Sequence, residues 1–209
     1  MTETANVAIV YYSSTGTVYR LAGAVRDGAA AAGSEVRLLR AAETDPIEAI
    51  DAHHTWLGHL AETSHLPNPT HEDILWADAV VFGSPARFGN VAAQLKFFID
   101  GLAGLWQQDL LADKVYSGFT STASLHGGQE STLLALYNCV LHFGGLVVTP
   151  GFLREADAFV RNPYGASHYT RADGSRPVDE PALDAARNLG RRVAAVAATI
   201  RAGRAVRTS

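Results

Sequence analysis

Five short apolar runs, many of their residues β-branched, punctuate the chain at 7–12, 36–39, 79–82, 115–119 and 146–148. They read as largely continuous rather than alternating, interrupted at Arg37 and Ser117-Gly118, so buried parallel strands are expected. Between them, 18–32, 91–102, 130–143 and 181–202 carry Ala, Leu and long polar residues at helical spacing. This alternation predicts an α/β fold with a doubly wound parallel sheet and helices on both faces.

Two stretches break the rhythm. The first, 44–73, holds five of the eight histidines, His53, His54, His59, His65 and His71, beside the turn Pro67-Asn68-Pro69. It reads as a partly helical excursion within a single domain. Its histidines match no i,i+4 pair with a carboxylate between, so a solvated surface and no metal are expected. The second, 152–181, is rich in Gly, Pro, Asn, Asp and Tyr. A loop of that length is usually functional or faces another subunit. The final Arg201, Arg204 and Arg207 read as a frayed, solvated tail.

At 209 residues and 47% hydrophobic content the chain can bury a full core. It has no long uninterrupted apolar run, and Met1 to Asn6 lack an export pattern, so a soluble cytoplasmic protein is expected. Seventeen basic against 21 acidic residues give net −4 without a basic stripe, which argues against nucleic acid or a membrane as partner. Cys139 is the only cysteine, which excludes an intrachain disulfide and a cysteine-based metal cluster. With no arginine-ended phosphate loop around it, it reads as a buried structural thiol.

Candidate chemistry gathers where strands meet helices. Ser13-Ser14-Thr15-Gly16-Thr17, followed by Val18, joins the first strand to the first helix. Free amides and the positive helix end favour an anion there, and four hydroxyls add donors. The loop lacks the lysine of a nucleoside-triphosphate loop and the G-x-G-x-x-G of a dinucleotide site. A mononucleotide with one terminal phosphate, such as flavin mononucleotide (FMN), fits better; a plain Ser/Thr helix cap would account for the same residues.

In an open parallel sheet, ligands bind outside the carboxyl ends of the strands. The loop after the third strand, Gly83-Ser84-Pro85-Ala86-Arg87-Phe88-Gly89-Asn90, offers a fixed turn, a charge and an aromatic surface. The loop after the fourth, Thr120-Ser121-Thr122-Ala123-Ser124-Leu125-His126-Gly127-Gly128-Gln129-Glu130, can line a planar ring with backbone donors, or be a long βα connection.

Together with Gly104-Leu105-Trp106 and Pro163-Tyr164-Gly165-Ala166, these segments resemble the WrbA-type NAD(P)H:quinone oxidoreductases over nearly the whole chain. The resemblance implies a flavodoxin-like five-stranded sheet in the order 2-1-3-4-5, non-covalent FMN, NADH or NADPH as electron donor, a quinone as acceptor, and a homotetramer with active sites near subunit contacts. It implies that Ser13 to Val18 hold the phosphate and that Pro85, Ala86, Arg87, Phe88 and Gly89 border the flavin ring. Ser121, Thr122, Ala123, Ser124, Leu125, His126 and Gly127 would line its other side. His142 corresponds to a histidine that reaches the flavin and Trp106 to a wall of the substrate pocket, with Phe88 also facing substrate. Arg87 and His142 would stabilise charge on the reduced ring, in a ping-pong exchange of nicotinamide and quinone in one open pocket. Thr15 stands where the family often has an aromatic that meets nicotinamide, so that contact is not carried over. A flavodoxin-like electron carrier and an FMN-binding regulatory protein are the other readings, and the mild net charge disfavours the carrier.

Overall fold

In the computed structural model, which describes residues 4–46, 54–152 and 162–208, six parallel strands form one sheet. They are β1 (Asn6–Tyr11), β2 (Glu35–Arg40), β3 (Ala79–Pro85), β4 (Val115–Thr122), β5 (Leu146–Val147) and β6 (Ala166–Tyr169). The order is β2-β1-β3-β4-β5, as predicted, and β6 adds to β4. β3 pairs with β4 from Val115 to Ser121, so β5 and β6 must share the opposite edge: β5 lies beside Val115 and Tyr116, β6 beside Phe119 to Thr122. The 152–181 stretch therefore supplies a strand that hydropathy did not reveal. Ala-Ser-His-Tyr has no apolar run, and only its alternate residues are buried.

The helices are α1 (Thr17–Ala31), α2 (His54–Glu62), α3 (His71–Trp76), α4 (Ala93–Asp100), α5 (Ala103–Trp106), α6 (Gln129–His142) and α7 (Glu180–Thr208). Strand alternation explains the continuous runs. Val7, Ile9 and Tyr11 pack under α1 and α7 with Leu21, Val25, Leu189 and Val193, while Ala8, Val10 and Tyr12 face the opposite layer with Leu95, Ile99, Leu133 and Leu136. The helix expected over 91–102 is two, because Gly101 caps α4 and the chain turns before α5.

Three expectations are corrected. The terminal arginines do not fray: α7 continues to Thr208, Arg201 pairs with Asp78 at 2.7 Å, and Arg204 donates to the Asp113 carbonyl at 2.6 Å. The side chain of Arg207 lies outside the described residues. The His-rich excursion is not uniformly solvated. His54, His65 and His71 are exposed, His59 is buried, and His53 lies outside the described residues. Cys139 is half-buried rather than buried, and desolvation pushes its thiol up. Among the described residues no helix is long and apolar enough to cross a membrane, and no cluster of three metal-ligating side chains occurs.

Candidate functional site

β1, β3 and β4 are neighbours in the sheet, so the loops at their carboxyl ends open side by side. In the first loop the helix cap is Gly16 itself, left-handed at φ 93° and with no side chain to cap with. Its amide donates to Ser13 Oγ at 3.0 Å, and Arg20 N–H to Gly16 O is the first bond of α1. The hydroxyls of Ser14, Thr15 and Thr17 are therefore not spent on capping, and the first-turn amides lack intrahelical partners. A plain Ser/Thr cap does not describe this loop. Val18 turns its side chain into the core, leaving only its backbone to the site.

Pro85 closes β3, and the Ala86 amide donates to the Ser121 carbonyl at 2.8 Å, joining the second loop to the third. Arg87 and Asn90 then exchange backbone bonds of 2.8 and 3.0 Å around Phe88 (φ 53°) and Gly89 (φ 74°). Two left-handed central residues make a type I′-like turn. Glycine is needed at 89 for a second reason: a Cβ there would lie 2.9 Å from Ser131 Oγ on α6. The turn leaves the Phe88 ring fully exposed and brings Arg87 Nη2 to 3.4 Å from Ser14 Oγ, so the first and second loops meet.

In the third loop Ser121 and Thr122 are buried, whereas Ala123, Ser124, Leu125 and His126 are exposed. Thr122 Oγ1 donates to the Ser124 carbonyl at 2.7 Å and accepts from Gln129 Nε2 at 3.0 Å. The Gly127 amide donates to the Ser124 carbonyl at 3.1 Å, closing the bend before α6.

Residues 6–158 match the family model described as NADPH-dependent FMN reductase. The chain belongs to that family. A protein named NAD(P)H dehydrogenase (quinone) from Deinococcus radiodurans is 44% identical over 169 residues, covering 80% of this chain and 84% of that one. One of the same name from Aromatoleum aromaticum is 38% identical over 205 residues, covering 95% and 99%. A solved structure titled as a flavodoxin, WrbA-like protein from Agrobacterium tumefaciens superposes with TM-score 0.65 at 27% identity, covering 94% and 99%. The WrbA-type family read from the motifs is thus confirmed, and with it the flavodoxin-like fold.

An FMN reductase needs a seat for one phosphate, and the first loop suits it. Its donors are neutral hydroxyls and helix-end amides, no carboxylate lies between Ser13 and Val18, and Arg87 stands beside Ser14. The second and third loops adjoin it at the same edge of the sheet.

His142 and Trp106 do not join these loops within one chain. His142 ends α6, whose 14 residues begin at the third loop, so it lies about 20 Å away at the other end of the helix. Trp106 is with it, its Nε1–H donating to the His142 carbonyl at 2.8 Å, while His142 Nδ1 is 2.7 Å from the Asn138 carbonyl. Both side chains are exposed.

Two residues of this FMN reductase family member escaped sequence reasoning. Glu43, just past β2, accepts from Tyr12 Oη (2.9 Å), Trp56 Nε1 (3.0 Å) and Gln94 Nε2 (2.8 Å), and from the amides of Thr44 (2.9 Å) and Asp45 (3.3 Å). Desolvation pushes its carboxyl up, but these donors outweigh that and hold it below the usual carboxylate range. Its carboxylate in turn, after burial, drives the Tyr12 phenol above its ordinary value. His59 lies against the first loop. The signal available was the spacing of Trp56 and His59, which puts both on one face of α2. A cleft of about 770 Å³ opens between β6, α7 and the start of α6, and touches the third loop at Leu125. Its size alone does not mark it as the site, because none of Ser13 to Val18 lines it.

Proposed function

We propose that this chain is an FMN-dependent NAD(P)H:quinone oxidoreductase working as a cytoplasmic homotetramer. The observation that carries the reading is the knitting of the three loops, Arg87 to Ser14 and Ala86 to Ser121, into one open surface at the carboxyl ends of β1, β3 and β4. Bound FMN would supply the redox chemistry, taking hydride from NADH or NADPH and passing two electrons to a quinone.

The chain's own residues bind, orient and balance charge. Ser13 to Val18 hold the terminal phosphate through hydroxyls and first-turn amides. Pro85 to Gly89 and Ser121 to Gly127 line the ring from opposite sides. The Arg87 guanidinium offsets negative charge that develops during reduction, in a setting where fixed donors need no reorganisation. Phe88, held clear of the protein by its turn, gives a flat apolar face against which nicotinamide and then quinone can lie. His142 and Trp106, exposed at the far end of α6, complete the site of a neighbouring subunit. Phe97, Leu134 and Leu141 are also exposed on α4 and α6, an apolar surface suited to that contact.

The purified protein should carry a releasable yellow cofactor with the mass of FMN. Its absorption should bleach anaerobically with NADH or NADPH and return on adding a quinone. No bleaching by either donor would sink the oxidoreductase reading, and bleaching without quinone turnover would point to a carrier or sensor.

A further inference from the structure

The inserted helix α2 brings one polar side chain against the phosphate loop. A Cβ placed on Gly16 would lie 3.3 Å from His59 Nδ1, so the imidazole edge fills the space a side chain would take at the left-handed turn. The His59 side chain is 4% exposed. Its Nδ1 is 3.3 Å from Glu62 Oε2, which favours the tautomer with hydrogen on Nδ1. Nε2 is buried and has no hydrogen-bond partner among the described residues. The ring leans on Tyr19 of α1 (5.5 Å between centroids), which stacks on Tyr11 of β1 (5.9 Å), and Arg40 of β2 is the nearby cation. Burial, more than the opposing pull of Glu62, lowers the imidazole's affinity for a proton, so the ring is a neutral wedge.

Glycine has the widest backbone freedom of any residue, and Gly16 is the point at which the loop's donors are aimed. Among the described residues Ser13 Oγ is held by the Gly16 amide, and Thr15 and Thr17 flank that glycine. Something must restrict Gly16 if these donors are to meet an anion without first being ordered by it. The imidazole edge, 3.3 Å from where a Gly16 Cβ would lie, does so.

We propose that His59 is a positioning residue for the phosphate loop and sets the preference of the site for FMN over unphosphorylated riboflavin. The inference rests on the assignment of Ser13 to Val18 to the flavin phosphate. It makes the excursion a part of cofactor selection rather than a surface ornament. An apolar side chain would fill the same volume without burying an unpartnered nitrogen, a cost that a purely structural position would shed.

The test is a fluorescence titration of the flavin-free full chain with FMN and with riboflavin, for the wild type, His59→Ala and His59→Gln. The wild type should prefer FMN. His59→Ala should lower FMN affinity about tenfold, the scale of one ordered charge-assisted contact, while riboflavin affinity stays within about twofold. His59→Gln, which keeps a polar group of similar reach, should fall between. An unchanged preference in His59→Ala, or equal losses for both flavins, would overturn the role of His59 while leaving the phosphate assignment standing. If the alanine variant does not fold, a wild-type preference in His59→Gln overturns the role and a reduced one supports it. A wild type that binds both flavins equally would instead refute the phosphate assignment, and this proposal with it.

Discussion

Phe88 occupies a left-handed backbone conformation with its ring wholly outside the protein. For a bulky residue such a position costs on the order of 1 kcal/mol, and the reason is visible in its neighbours: the turn it helps form aims Arg87 at Ser14. The Arg87 side chain is exposed, and its hydrogen bonds among the described residues are long, to Ser14 Oγ at 3.4 Å and the Ala86 carbonyl at 3.3 Å. Arg87→Ala should therefore leave folding within about 0.5 kcal/mol of wild type while weakening FMN binding or slowing flavin reduction. Unchanged titrations and unchanged rapid-mixing reduction would remove Arg87 from the site. At this scale residue type was readable and residue use was not. A hydroxyl-rich strand-to-helix junction announces an anion seat, but nothing in the sequence says that Ser13 Oγ is taken by the Gly16 amide. Nor could periodicity place His142, because a 14-residue helix carries it away from the loop that begins it.

At the scale of elements, α2 and the end of β2 are held to the site by one carboxylate. Glu43 draws together Tyr12 from the first loop, Trp56 from α2 and Gln94 from α4. A carboxyl held below its ordinary value of 4.5 contributes stability that is complete above that value and is lost as pH falls from it toward the lower folded value. Glu43→Gln should lower stability at neutral pH by about 1–3 kcal/mol and should flatten the acid limb of the stability curve below pH 4.5. Chemical denaturation at a series of pH values reads both effects; parallel wild-type and variant curves would show that Glu43 has no such linkage. β1, β3 and β4 were legible because strands buried on both faces are rich in apolar residues, while the half-exposed β2 and β5 were legible only from short apolar stretches. β6 was not, since pairing with β4 alone, and no apolar pattern, makes Ala166 to Tyr169 a strand.

The whole molecule presents two ends with different characters. The carboxyl edge of the sheet is loop-built and mixes hydroxyls with the exposed Phe88 and Leu125, whereas the outer surfaces of α4, α5 and α6 expose Phe97 (72%), Leu141 (65%) and Trp106 (49%). If those surfaces meet in a tetramer, Leu141→Asp should shift the protein to smaller species in light scattering without changing its far-ultraviolet spectrum, since the side chain is 65% exposed. A variant that stays tetrameric would assign the contact to other surfaces. The alternation of strand and helix made the doubly wound parallel sheet legible, whereas its order was implied only by the family resemblance and is the one the structure has.

The divided partner of β4 has a consequence for solubility. An eight-residue strand with a free outer edge would offer a long row of unpaired amides and carbonyls on which another chain could build. Here the edge is closed by one strand of two residues and another of four, arriving from different parts of the sequence. Neither is long enough to act as a template itself, so the sheet ends in two short, offset borders that discourage edge-to-edge growth.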